Sequence, residues 1–147
     1  MNKIPIFDRA AKLALIKRMI EARLSGDAGG FANCFTEDVV FSLSGCPLLM
    51  PYFGRRVGRE NMMDAIRFFD VALKQYDNVI DTPVIDGGQA ALRFRMTIQS
   101  RCGGAPAPTR CVAHLKFENW LASELTVFID SALVLNLVRR QYGQQLQ

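Results

Sequence analysis

The chain has 147 residues, 50% of them hydrophobic and 22% charged, with 18 basic against 14 acidic side chains and a net charge of +4. A chain of this length makes one domain and buries roughly 70% of its unfolded surface, so it stands without metal or disulfide staples. The apolar content excludes a disordered tail, the absence of a run of ~20 apolar residues excludes a membrane span, and a mild, dispersed positive charge argues against nucleic acid as a partner. The opening MNKIPIFDRAAKLALIKRM scatters charges among its apolar residues, unlike the unbroken core of a secretory signal, so the expected location is the cytoplasm. The expectation is a single domain over residues 1–147, with its core at about 8–140 and a polar tail at 141–147.

Asp8 is a good N-cap, and Leu13, Ile16, Ile20 and Leu24 follow at helical spacing. Gly26 stops that helix, and Asp27 caps a short second one carrying Phe31, Cys34 and Phe35. Val39, Phe41 and Leu43 alternate with polar positions and predict a strand. Residues 45–58 (GCPLLMPYFGRRVG) predict an irregular loop, apolar enough to line a pocket mouth. A third helix is predicted from Arg59 to Tyr76, with Met62, Ile66, Phe69 and Leu73 on one stripe.

The second half changes period. A strand from Val79 to Ile85 meets the turn signal Asp86-Gly87-Gly88, and a long strand alternates from Ala90 to Gln99. After a Gly/Pro loop at 102–108 come strands Arg110–Glu118 and Leu121–Ile129, then a terminal helix from Ser131 to about Arg140. Helices segregated from an antiparallel meander define an α+β domain. Long strands curl, and helices laid on the concave face would close a cone with an apolar interior.

Metal and cofactor chemistry finds little to work with. The cysteines, Cys34, Cys46, Cys102 and Cys111, form no C-x-x-C pair, and the chain's one histidine is His114, so no metal site is expected and the thiols read as free. Neither a G-x-G-x-x-G fingerprint nor a Walker lysine is present, and the expected cofactor is none. What remains is carboxylates, tyrosines, arginines and shape.

Four segments in order, LSGD (24–27), FANCFTEDVVF (31–41), PYFGRRVGREN (51–61) and ELTVFIDSALVLNLV (124–138), resemble the SnoaL-like, or ketosteroid isomerase-like, proteins of the nuclear transport factor 2-like superfamily. The resemblance runs from about Ala11 to Val138. It implies a cone-shaped α+β barrel of the cystatin-like type, a curved antiparallel sheet wrapped around N-terminal helices and cupping a hydrophobic cavity. It also implies a homodimer, and a fold that serves enzymes and non-enzymes alike. Trp120 departs from the pattern, standing where relatives turn on glycine.

Ketosteroid isomerases use an aspartate base with a tyrosine and a protonated aspartate as oxyanion hole. Alignment on Gly26-Asp27 puts Met19 at the tyrosine, Leu43 at the base and Ala113 at the acid, so steroid isomerisation has no base here. SnoaL-type cyclases instead carry an acid/base aspartate after the last strand, where this chain has Asp130. A carboxylate that deprotonates carbon needs a partly desolvated cavity. The competing reading of Asp130 is a helix N-cap, worth ~1 kcal/mol, with Leu125, Val127 and Ile129 as the inward set.

Two functions follow. One is an isomerase- or cyclase-type enzyme acting on a cyclic carbonyl compound, with Asp130 as acid/base and Tyr52 as polariser. Its pocket would be lined by Met19, Leu43, Arg55, Met62, Phe69, Phe94 and Ala113. The other is a non-catalytic ligand-binding or dimerisation module built on the same pocket. In both, the partners are a small apolar or cyclic ligand and a second copy docked on the outer sheet face, where His114, Arg93, Arg95, Thr97 and Gln99 are expected.

Overall fold

In the first helix the carboxylate of Asp8 accepts from the N–H of Ala11 at 2.9 Å, and α1 (Arg9–Ser25) runs from that cap to Gly26. Gly26 takes φ 76, the left-handed turn that ends a helix with little strain when no Cβ is present. The computed structural model describes residues 6–142; the remainder of the expected polar tail, 143–147, lies outside them. Asp27 caps α2 (Ala28–Ala32) through the Gly30 N–H. The chain then runs through β1 (Phe35–Leu43), β2 (Gly54–Val57), α3 (Arg59–Ala72), β3 (Leu73–Ile80), β4 (Val84–Asp86), β5 (Gln89–Ser100), β6 (Ala107–Glu118), β7 (Leu121–Phe128) and α4 (Ser131–Tyr142).

The strands form one sheet in the order β2-β1-β7-β6-β5-β3, with β4 also pairing β5. The α+β class and the curved sheet of the expectation hold; within the sheet, β1 and β7 pair in parallel and every other pair is antiparallel. Alternation sorts its two faces. One inward row crosses the sheet as Leu43, Val127, Ala113 and Leu92, and the next as Phe41, Leu125, Leu115 and Ala90. These rows meet Leu15, Ile16 and Met19 of α1, Met62 and Met63 of α3 and Val134 and Leu137 of α4 in one buried cluster.

β6 begins at Ala107, inside the loop expected over 102–108, and four larger differences from the sequence reading follow. The short second helix stops at Ala32, so Phe35 opens β1 rather than closing α2. The segment expected to be loop through Gly58 pairs over its last residues, Gly54 with Leu43 and Val57 with Val40. The third helix ends at Ala72, four residues before Tyr76, because Lys74, Gln75 and Tyr76 take ladder positions opposite Gln99, Ile98 and Thr97. Helix propensity is worth only tenths of a kcal/mol per residue and yields to that sheet edge. The expected strand 79–85 is broken at Pro83, which has no N–H to give a ladder, so β3 and β4 form on either side.

Candidate functional site

A cavity of about 220 Å³ lies between the concave face of the sheet and the helices. Ile16, Met19 and Ile20 come to it from α1, Phe31 from α2, Ile66 and Phe69 from α3 and Val134 from α4. The sheet contributes Phe41, Leu43, Leu92, Phe94, Met96, Ala113, Leu125 and Val127. Its charged and amide-bearing lining is limited, among the described residues, to Arg23, Asp70, Gln75 and Asn78. Such a lining favours an apolar body and recognises polarity in one place.

The structure brings together five of the expected site residues: Met19, Leu43, Phe69, Phe94 and Ala113. Met19, Leu43 and Ala113, the positions that alignment on Gly26-Asp27 sets at an isomerase's tyrosine, base and acid, thus line one cavity, each with an apolar side chain. The other four lie off it. Met62 is fully buried in the core beneath α3, packed rather than facing space. Arg55 sits on β2 opposite Ser42, on the exposed side of that edge strand. Tyr52 packs on Phe68 with ring centroids 4.8 Å apart and planes tilted by 41°, carries the Arg56 guanidinium 4.5 Å from its ring centroid, and does not line the cavity.

Asp130 is exposed, and its Oδ1 accepts from the Leu133 N–H at 3.1 Å. The cause lies one residue earlier. The Ser44 hydroxyl donates to the Ile129 carbonyl at 3.0 Å and accepts from the Ile129 N–H at 3.0 Å, pinning the end of β7 so that Ile129 enters the cavity. Asp130 therefore turns outward and caps α4.

His114 is on the outer face, its Nε2 2.9 Å from Gln89 Oε1. Of the four thiols, Cys34 and Cys111 are buried and Cys46 and Cys102 exposed, all free. Burial pushes the Cys111 thiol up to about 12, and it also raises Cys34, where Arg18 pulls in the opposite direction. No cluster of metal-ligating side chains occurs among the described residues, and no helix there is long and apolar enough to cross a membrane.

Arg23, Asp70, Gln75 and Asn78 were not singled out in the sequence. Arg23 was within reach of it, since it stands four residues after Met19 and seven after Ile16 on the stripe that faces the cavity. Asp70 follows Phe69 at the end of α3. Gln75 falls within the helix expected to run to Tyr76, and Asn78 falls in the gap between that helix and the strand expected from Val79.

With this architecture in view, comparison is informative. The SnoaL-like domain family matches residues 16–124, and the chain belongs to that family. No curated protein matches it. An NTF2-like protein of unknown function from Burkholderia pseudomallei superposes with a TM-score of 0.77 at 18% identity, covering 87% of this chain and 97% of that one. An NTF2-like protein from Burkholderia xenovorans gives 0.76 at 13% identity, over 90% and 99% of the two chains. TerC, co-crystallised with polyporic acid, gives 0.78 at 12% identity, over 88% and 98%.

Proposed function

We propose that this protein holds a small, largely apolar cyclic ligand inside the cone. The observation that carries this reading is the cavity itself, lined by apolar side chains from all four helices and the concave sheet. Burial of apolar surface supplies the affinity, at roughly 25 cal/mol per Å², and the limited volume selects for one or two rings. TerC, a protein of the same fold, was crystallised with polyporic acid, which is in keeping with an organic ligand in such a cone.

A second reading, catalysis of the isomerase or cyclase type on a cyclic carbonyl compound, rests on the place of Asp130 immediately after the cavity residue Ile129. It requires the carboxylate to leave the Leu133 N–H and turn inward. The ligand-binding reading requires no rearrangement, and we rank it first.

Ala113 is small, inward and central in its row, so Ala113→Trp fills the cavity from the sheet side. Titration with the neutral two-ring compound 2-naphthamide, followed by fluorescence, should saturate at one equivalent in the wild type. The Ala113→Trp variant should bind at least about tenfold more weakly, the loss expected when a ring is denied a pocket of its own size. Equal binding by both proteins would place the ligand elsewhere and end the cavity reading.

A further inference from the structure

The polar groups of the cavity gather where α1 and α3 end and β3 begins. Arg23 and Asp70 form a two-pronged ion pair, Nη1 to Oδ2 at 3.0 Å and Nη2 to Oδ1 at 2.7 Å. Both side chains line the cavity and remain open to water, at 33% and 45% exposure, so they stand at its rim. Arg101 donates from Nε to the main-chain carbonyl of Asp70 at 2.7 Å, fixing a second cation at the end of α3. Beside them the Gln75 amide donates to Asn78 Oδ1 at 2.7 Å.

Gln75 and Asn78 share this rim through a defect in β3. One extra residue stands between Tyr76 and Val79, opposite Thr97 and Arg95. Asp77 occupies the bulge at φ 53, a left-handed conformation that side chains adopt only at a cost. Without the extra residue, alternation from Gln75 would turn Asn78 outward. Bulges of this kind re-aim side chains, and they concentrate beside functional sites.

The charged lining side chains are Arg23 and Asp70, whose charges balance as a pair, so what the rim offers a ligand is the donors that the pair leaves free. Asp70 takes one N–H from each terminal nitrogen of Arg23, which leaves the guanidinium with further donors held in a fixed orientation. The Asn78 amide, accepting from Gln75, keeps its own N–H₂ as a donor. The rim therefore presents oriented N–H donors, those of a guanidinium among them, while the interior presents apolar surface. We propose that Arg23, oriented by Asp70 and flanked by Asn78, binds a carboxylate on the ligand, so that the protein selects small cyclic carboxylic acids over neutral molecules of the same shape. This rests on the reading of the cavity as a ligand site.

The test compares 2-naphthoate with the neutral isostere 2-naphthamide at pH 7 by calorimetric titration. In the wild type the carboxylate should bind at least about tenfold more tightly, as expected for charge-assisted bonds at a partly screened site. Arg23→Gln should bring the two affinities within about twofold of each other, by weakening naphthoate alone. Arg23→Lys keeps the charge without the fork and should give an intermediate ratio. Thermal melts verify that each variant is folded. Equal affinities in the wild type, or a preference that survives Arg23→Gln, would overturn the rim assignment. If Ala113→Trp still abolishes binding in either case, the cavity reading stands without it. Binding that Ala113→Trp leaves unchanged, or no binding of either compound, would overturn both.

Discussion

Asp130 shows how one side chain answers two different demands. The sequence resemblance sets it at the acid/base place of the SnoaL-type cyclases, but in the fold its carboxylate accepts from the Leu133 N–H. Removing a cap of this kind costs ~1 kcal/mol, whereas asparagine still caps. Asp130→Ala should therefore lower unfolding free energy by about that amount in a urea titration, Asp130→Asn by a few tenths, and neither should change affinity for a cavity ligand. A loss of ligand binding or turnover in Asp130→Asn, with stability intact, would return the aspartate to the site. Cys111 gives a second prediction at this scale. Its thiol is held up to about 12 from an ordinary 9.0 because the folded state buries it, so the folded protein retains a proton that the unfolded chain releases. The corresponding stability is fully present below pH 9 and is lost as pH rises toward 12, by up to about 1.4 kcal/mol per pH unit. Subtracting the pH profile of Cys111→Val should isolate that slope, and identical profiles for the two proteins would refute it.

Elements were legible where one physical signal acted alone. The caps at Asp8 and Asp27 and the stop at Gly26 are set by local hydrogen bonds, and all three form as their residue types dictate. The alternation of Ala90, Leu92, Phe94, Met96 and Ile98 likewise placed β5, because a period of two leaves no other face to bury. Sequence reasoning faltered where a distant partner decided. Leu73 continues the apolar stripe of α3, yet it pairs with Ser100, a neighbour that local spacing does not reveal. Gly54 to Val57 read as loop because nothing nearby announces that β1 offers it an edge. The candidate site divides along the same line. Met19, Leu43 and Ala113 follow from a register that crosses the whole fold, whereas Gln75 sits in residues whose local spacing reads as helix and Asn78 faces inward only through one extra residue in β3. Trp120 is a local case of the same contest. With Asn119 it forms a two-residue hairpin in which both residues have positive φ, at 52 and 69, and its ring lies 5.0 Å from that of Phe7. A glycine would fit that backbone more easily, and the contact with Phe7 offsets part of the strain.

At the scale of the whole molecule, the sheet is a single layer with two different faces. The inner face is committed to the cavity and core. The outer face places Val112 directly opposite Phe128, at 40% and 52% exposure, with Val79 and Val84 also open. A solvated antiparallel sheet ordinarily presents polar residues on its free side, so apolar neighbours there favour a cover. We expect that cover to be a second copy of this chain, docked face to face around Val112 and Phe128. Sedimentation equilibrium should then give the mass of two chains, and Val112→Asp should weaken association at least tenfold by burying an unpaired charge. A monomeric wild type whose mass Val112→Asp does not alter would refute this arrangement. Val112 and Ala113 are adjacent on β6 yet serve opposite faces, which makes their variants a matched pair. Val112→Asp should separate the subunits and leave ligand affinity in place, while Ala113→Trp should weaken ligand binding at least about tenfold and leave the dimer intact. If either substitution did both, the two faces would be coupled through the sheet, and the cavity would have to be studied as a property of the pair.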